Sequence, residues 1–350
     1  MALLISFLIG IQLLHSVVSV PFVQLLHPSC NSLEVKAAAD AALNKYNKIQ
    51  ADSYIIGLRR IFDASQISED GYSIFYLVLD VLETKCHGWS KKSWKECEFR
   101  RPYETVFGQC KLTIKIYKNS NDTFLYDSCC ILRPYLTPSC PGCPIRQNPS
   151  EETFQKIARQ SLAKFNAEVN HIHYFAILEV TKASSQVVNG ILYAVEFTVQ
   201  ETSCHKHRPV SNITECPFLP KGTAETGLCK NSVILGGAHE DPEISRADCE
   251  LFLPEHQQQH HPHATEIPAK QKETVVQGVN KRAVRDVQEP NPTFIPTLAP
   301  HSLHQSIPAF PKGFSQSSSC PGEVLVKIPG LHLDSPPQAE NSQTKSDVQH

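Results

Sequence analysis

The chain has 350 residues, which is enough for two domains of ordinary size and an additional segment. Its net charge is −2, so no overall field attracts it to nucleic acid or to an anionic membrane. Thirteen cysteines indicate folding in an oxidising compartment, where disulfides persist, rather than in the cytosol. These properties exclude a nucleic-acid-binding protein and favour a secreted, extracellular one.

The chain begins with an almost wholly apolar stretch. Residues 2–18 contain no Lys or Arg, and residues 17–19 are suited to signal-peptide cleavage. We therefore predict a signal peptide over residues 1–19, with a membrane anchor of borderline length as the alternative. No later stretch is long and apolar enough to span a bilayer, so no membrane partner is expected.

Residues 28–137 are predicted to form an α+β domain that begins with a helix. Apolar side chains recur there at steps of three and four, which builds one stripe along the helix. Asn31 and Glu34 resemble a capping box at its start. Strands rich in β-branched and aromatic residues are predicted over 54–62 and 72–82. The stripe consists of Val35, Ala38, Ala42, Tyr46 and Ile49.

A second domain of the same kind is predicted over residues 148–255, after a linker at 138–147. Ser150 is placed to cap its helix. Strands are predicted over 174–181 and 192–199. A helix followed by about four antiparallel strands gives a fold in which the helix is wrapped by the sheet.

Eight cysteines form two series with nearly equal steps. The steps are 11, 13 and 20 residues in the first domain and 12, 13 and 20 in the second. Such a repeat indicates one fold used twice, and sequential pairing is the simplest assignment. The predicted disulfides are Cys86–Cys97, Cys110–Cys130, Cys204–Cys216 and Cys229–Cys249.

Five cysteines lie outside this repeat. Cys129 adjoins Cys130 and is an alternative partner for Cys110, but the 20-residue step in both domains favours Cys130. Cys129 is then a free thiol or a link to a second chain. The remaining predicted pairs are Cys140–Cys143, a small ring between the domains, and Cys30–Cys320, a tie from the tail to the start.

Residues 256–350 are predicted to be a disordered tail tethered by Cys320, because their composition cannot bury enough apolar surface. Lys281-Arg282 would be open there to basic-site proteases. The tail histidines at positions 256, 260, 261 and 263 could bind a divalent metal, but a solvated stretch is the simpler interpretation. Asn121 and Asn212 are predicted N-glycosylation sites.

Tandem domains with these disulfides, a leader and a Pro-rich tail resemble the fetuin family, whose members contain two type-3 cystatin domains. The segments that carry the resemblance are residues 76–84, 91–94, 104–111, 130–134 and 161–166, together with Cys320-Pro321-Gly322. The resemblance implies a secreted peptidase inhibitor with a role in controlling egg-coat hardening at fertilisation.

The resemblance also implies a contact between the interdomain linker and a peptidase. In the family's inhibitors of astacin-type zinc peptidases, the Asp of a Cys-Pro-Asp-Cys-Pro segment reaches the catalytic zinc. Glycine replaces that Asp here, so the carboxylate that suits zinc is missing and the ring would act as a rigid wedge. A passive spacer or a redox dithiol are the alternatives. The matching positions are Cys140, Pro141, Gly142, Cys143 and Pro144.

A second segment is similar to the Gln-x-Val-x-Gly hairpin of inhibitory cystatins and kininogens. Its Asn-Gly pair predicts a type I′ turn that projects two valines into a cleft. An inhibitor of papain-like cysteine peptidases is therefore the second hypothesis, or the hairpin supports the linker on one metallopeptidase. The segment in the first domain, residues 66–71, is longer and acidic, and should not inhibit in this way. The hairpin residues are Gln186, Val187, Val188, Asn189 and Gly190.

A plasma carrier of mineral or metal is the third hypothesis, from a different class. Its mineral-binding surface would consist of acidic residues of the first domain. An enzyme is not expected, because no nucleophile–base pair, phosphate loop or metal-ligand helix motif is present, and no cofactor is implied. The acidic residues are Asp63, Glu69, Asp70, Asp80 and Glu83.

Overall fold

The computed structural model describes residues 24–120, 122–135, 141–208, 210, 212–235, 244–254, 307–315, 317–329 and 331. The predicted signal peptide, Asn121, Cys140, the four tail histidines and Lys281-Arg282 lie outside these residues. Within the described part, no helix has the length and apolar character needed to cross a bilayer.

The first domain is one helix packed on a five-stranded antiparallel sheet. Its strands lie in the sheet in the order in which they occur along the chain. The elements are β1 (Leu25–Leu26), α1 (Leu33–Ile49), β2 (Tyr54–Ser68), β3 (Tyr72–His87), β4 (Val106–Tyr117) and β5 (Thr123–Pro134).

The second domain repeats this architecture. Its sheet has the order β10-β9-β8-β7-β6 and is again antiparallel. The predicted α+β fold with two tandem domains is therefore confirmed. The elements are β6 (Ile145–Arg146), α2 (Glu152–Glu168), β7 (His173–Val188), β8 (Gly190–His205), β9 (Thr226–Leu235) and β10 (Asp248–Phe252).

The central strands are longer than the sequence pattern predicts. Both β2 and β7 contain β-bulges that shift the pairing register three times. Bulges bend a strand and increase its twist, so these long ribbons wrap around the helix. The same bulges interrupt the alternation of apolar and polar residues. For this reason the strands predicted from that alternation end before the observed strands do.

Both predicted helix caps are wrong. Ser32 caps α1, because its Oγ accepts a hydrogen bond from Val35 N at 3.3 Å. The Asn31 side chain instead accepts from Glu323 N in the tail, at 2.9 Å. In the second domain the cap position is Glu151 rather than Ser150, without a side-chain capping bond. A sequence pattern cannot show that a tail segment recruits the nearby Asn31.

Disulfides close each sheet at the same place. The pairs Cys110–Cys130 and Cys229–Cys249 link directly opposed strand residues with Cα atoms 4.0 Å apart. Cys143 is also disulfide-bonded, whereas Cys129 is a free, exposed cysteine. The other pairs in the described residues are Cys30–Cys320, Cys86–Cys97 and Cys204–Cys216.

Residues 307–315 and 317–329 of the tail are packed on the first domain, so the prediction of disorder over residues 256–350 is wrong for these segments. Gly322 N donates to Ile61 O and Leu325 N to Arg59 O, each at 2.8 Å. Cys320 packs against the first core, and the Phe314 ring contacts Phe62. Because β1 pairs only with the end of β2, the rest of that strand edge accepts the tail. Composition does not reveal such an acceptor.

Candidate functional site

The described part of the linker is a solvent-exposed turn. Gly142 has a φ of 79°, and a Cβ atom placed there would meet nothing within 4 Å. Cys143 and Pro144 are half-buried behind it. A left-handed backbone favours glycine, with Asn and Asp the side-chain residues that tolerate it best. The turn is therefore open to a partner and able to accept an aspartate.

The hairpin of the second domain turns at Asn189. Val188 pairs with Gly190, and Val187 with Ile191. Gly190 has a φ of 119°, but Asn189 is not among the described residues with positive φ. A type I′ turn requires positive φ at both central residues, so that prediction is wrong. The pairing leaves one residue at the tip instead of two.

Apolar side chains project from this tip into solvent. Val187 is 73% exposed and Val188 is 42% exposed. Sequence reasoning missed three neighbours, Ile145, Ile191 and Ile234, which are also exposed. They lie on strands whose pairing brings them to the same end of the sheet. Grouped exposed apolar residues are typical of protein interaction sites.

The linker and the hairpin are directly joined. Gln186 Nε2 donates a hydrogen bond to the Gly142 carbonyl oxygen at 2.8 Å. Strand β6 pairs only with Ser184 and Ser185, so the hairpin extends beyond it. We call residues 141–144 and 186–190 the linker–hairpin edge. The structure thus brings together two segments that are about 45 residues apart in the sequence.

Most of the acidic residues that were candidates for a mineral-binding surface are buried or bonded to other groups of the protein. Asp63 accepts from Ser315 N at 3.0–3.1 Å, and Asp80 accepts from Arg60 Nε at 2.8 Å. Both carboxylates are buried, as is that of Glu83. Among the described residues no group of three or more His, Cys, Asp or Glu side chains is arranged to hold a metal ion.

The predicted glycosylation site in the second domain is accessible. Asn212 is exposed and precedes a short 3-10 helix at Ile213–Glu215. Its Oδ1 accepts from Thr214 N at 3.1 Å, and its Nδ2 donates to Glu215 at 3.0 Å. The side chain is therefore ordered by its neighbours while remaining at the surface.

The repeated helix-and-sheet architecture, the paired disulfides and the projecting hairpin define tandem cystatin domains. The cystatin-domain family matches residues 25–119 and 142–234, which together are more than half of the chain. The chain is 38% identical to human Fetuin-B over 237 residues, which are 65% of this chain and 59% of that protein. It is 34% identical to mouse Fetuin-B over 291 residues, 80% of this chain and 70% of that one. The chain belongs to the fetuin family, within which it is similar to Fetuin-B.

Two solved structures of a relative show it with partners. Mouse fetuin-B in complex with crayfish astacin is similar with a TM-score of 0.56 at 34% identity, over 67% of this chain and 75% of that chain. The inhibitory complex of human meprin beta with mouse fetuin-B has the same TM-score at 33% identity, over 67% and 76%. The chain spans 59% of the human relative's length.

Proposed function

We propose that this protein is a secreted inhibitor of astacin-type zinc endopeptidases rather than an enzyme, and that the linker–hairpin edge enters the peptidase cleft. The complexes of mouse fetuin-B with astacin and meprin beta support this target class. The disulfides and the exposed Asn212 agree with an extracellular protein. The family resemblance also implies control of egg-coat hardening at fertilisation.

The observation that carries the proposal is the hydrogen bond between Gln186 Nε2 and Gly142 O. This bond holds the turn of the linker against the hairpin. Both segments can therefore enter one peptidase cleft without a prior change in conformation. Preorganisation of this kind reduces the entropy cost of binding. Because Gly142 has no side chain to ligate zinc, we infer that the edge inhibits mainly by filling the cleft with Val187 and Val188.

The first experiment measures inhibition of crayfish astacin and human meprin beta. Gln186→Ala and Val187→Asp should each weaken inhibition about tenfold, equivalent to about 1.4 kcal/mol. Asp70→Ala is the matched control, since it alters the exposed turn of the first domain and should change nothing. Absence of inhibition by the unaltered protein at micromolar concentration would refute the proposal.

A second experiment tests the missing carboxylate. Gly142→Asp should strengthen inhibition, because it supplies a zinc ligand in open space. Gly142→Ala is the control: it imposes a left-handed backbone cost of about 1–2 kcal/mol without a carboxylate. Equal inhibition by the Asp and Ala variants would show that the linker acts only through its shape.

Inhibition of papain-like cysteine peptidases is the second candidate function. The 73% exposure of Val187 at the hairpin tip favours it. Gly190→Trp should abolish inhibition of a cathepsin, because a φ of 119° is strained for any residue except glycine. An unchanged inhibition constant in a folded variant would exclude the hairpin from this role.

A further inference from the structure

The two cystatin domains contact each other through polar side chains. The two apolar cores are separate: one contains residues of the first domain with Cys320, and the other residues of the second domain. Interdomain contacts without a large apolar interface normally permit relative motion. In this protein a group of buried and half-buried charged and hydroxyl side chains lies at the boundary. This interdomain cluster consists of Tyr54, Glu83, Arg100, Thr181, Lys182 and Glu196.

Arg100 lies at the centre of the interdomain cluster and is 1% exposed. Its Nη1 and Nη2 donate to the two carboxylate oxygens of Glu196 in the second domain, at 3.0 and 2.8 Å. Its guanidinium carbon lies 4.4 Å from the centre of the Tyr54 ring. A bidentate guanidinium–carboxylate pair fixes the relative orientation of its two partners as well as their distance.

In a second ion pair across the boundary, the second domain supplies the cation and the first domain the carboxylate. Lys182 Nζ of the second domain lies 2.6 Å from Glu83 Oε1 of the first. Arg100 Nε is 2.7 Å from the same oxygen, in an ion pair without hydrogen-bond geometry. Each domain therefore supplies a cation and a carboxylate to the other. Such reciprocal pairing leaves no buried charge uncompensated while the domains keep this arrangement.

Tyr54 completes the contacts of Glu196. Its hydroxyl donates to Glu196 Oε2 at 2.6 Å and lies 2.9 Å from Thr181 Oγ1. Burial alone would raise the pKa of Glu196, but Arg100 outweighs burial and holds that pKa at about 2. Glu196 is therefore ionised throughout the physiological range. Separating it from Arg100 would leave a largely buried charge without its partner, which is strongly unfavourable.

The interdomain cluster is continuous with the linker. Arg100, Lys182 and Glu196 line a groove of about 560 Å³ that Pro144 and Arg146 also line. The linker starts at the end of β5 and enters β6, so it is attached to both domains. A change in the angle between the domains would therefore pull on the turn at residues 141–144, which the hairpin holds.

We propose that Arg100 and Glu196 are positioning residues, which fix the angle between the two cystatin domains and so hold the linker–hairpin edge in the form that a peptidase binds. This inference rests on the proposed inhibitory function. It assigns inhibition partly to residues outside the edge. The distinctive consequence is that the domain angle and the inhibition constant change together.

The experiment combines small-angle X-ray scattering with inhibition of crayfish astacin. Glu196→Gln, a mild change that keeps the shape, should increase the radius of gyration and weaken inhibition about tenfold. Glu196→Asp, which keeps a carboxylate opposite Arg100, should change both quantities less than Glu196→Gln does. Lys92→Ala is the matched control, since Lys92 makes an exposed interdomain ion pair with Glu250 at 3.1 Å and should alter neither.

Scattering and inhibition that do not change together would contradict the proposal. Weaker inhibition by Glu196→Gln with unchanged scattering would overturn the positioning role, because Glu196 would then act by direct contact. Changed scattering with unchanged inhibition would overturn the link between domain angle and inhibition. If the unaltered protein inhibits no astacin-type peptidase, the proposed function fails. The scattering of the same variants still decides whether the cluster fixes the angle.

Discussion

The two cystatin domains use the same anchor between helix and sheet. Asn47 on α1 donates to Ile56 O at 2.9 Å and accepts from Ile56 N at 3.0 Å. Asn166 on α2 makes the same two bonds with Phe175, at 2.8 and 2.9 Å. In both places the bonded residue directly follows a register shift in the sheet. The scaffold is thus stabilised identically in the two domains.

The hairpins, by contrast, differ in how they are covered. In the first domain β1 pairs with Gln66 and Ile67, and Ile67 is 6% exposed. In the second domain β6 stops at Ser185, and Val187, two residues further along β7, projects into solvent. The short flanking strand therefore covers Ile67 in the first domain and leaves Val187 uncovered in the second. Flanking strands, as well as hairpin sequence, thus decide which hairpin is open to a partner.

The largest effect should come from removing the shared anchor. Asn47→Ala and Asn166→Ala each leave a buried N–H and a buried C=O unpaired, at roughly 1–3 kcal/mol per group. We expect each variant to destabilise its own domain by about 4 kcal/mol. Hydrogen exchange in chemical denaturant, followed separately for each domain, measures this.

Lys45→Ala and Lys164→Ala provide the controls for the anchor. These lysines are exposed at matching positions on α1 and α2, so each change should stay within about 0.5 kcal/mol. If one of the two Asn variants is as stable as its control, the anchor is not shared and the comparison fails.

A smaller difference in stability is expected between variants of the two hairpins. Ile67→Ala creates a cavity in the first domain and should cost about 3 kcal/mol, whereas Val187→Ala should cost less than about 0.5 kcal/mol. For inhibition the order should be reversed, with only Val187→Ala weakening it. Denaturation midpoints and inhibition constants measured on both variants check this. A large stability loss from Val187→Ala would mean that its side chain is part of the fold.

Sequence alone predicts the parts of this molecule that repeat or alternate. The helix stripe at Val35, Ala38 and Ala42 is buried as expected, because a period of three to four identifies the inner face of a helix. The same period predicts that Ile49 belongs to the stripe, but Ile49 is exposed, since the helix ends there. Periodicity does not show where an element stops facing the core.

The features that create the site are long-range and leave no local signal. The bond from Gln186 to Gly142 and the pair between Arg100 and Glu196 each join segments far apart in the chain. Nothing in the residues around Arg100 distinguishes it from a surface arginine. The exposure of Ile234 likewise follows from strand pairing rather than from its own sequence context.

The two domains also differ in the histidine that ends the third strand of each domain. His87 follows Cys86 at the end of β3, and His205 follows Cys204 at the end of β8. His87 is 2% exposed, lies against the Trp89 ring at 4.2 Å, and accepts a hydrogen bond from Trp89 N at 3.4 Å. Its ring is therefore held in the neutral form, whereas His205 is exposed.

This contrast predicts a stronger dependence on pH in the first domain than in the second. Burial lowers the pKa of His87 from 6.5 to about 4, although Asp52 opposes the shift. The unfolded chain therefore takes up a proton at a higher pH than the folded domain, and stability falls as pH decreases from 6.5 toward 4. At about 1.4 kcal/mol per pKa unit, the loss is at most about 3.5 kcal/mol.

Hydrogen exchange of the first domain between pH 7.5 and 5 measures this loss. His87→Gln should flatten the pH dependence, and His205→Gln, the matched change at an exposed position, should leave it in place. The range stops at pH 5 because the pKa of Glu196 is about 2 in the folded protein and about 4.5 in the unfolded chain. Its own contribution to stability is therefore lost mainly below pH 5. An equal pH dependence in the two domains would show that burial of His87 does not distinguish them.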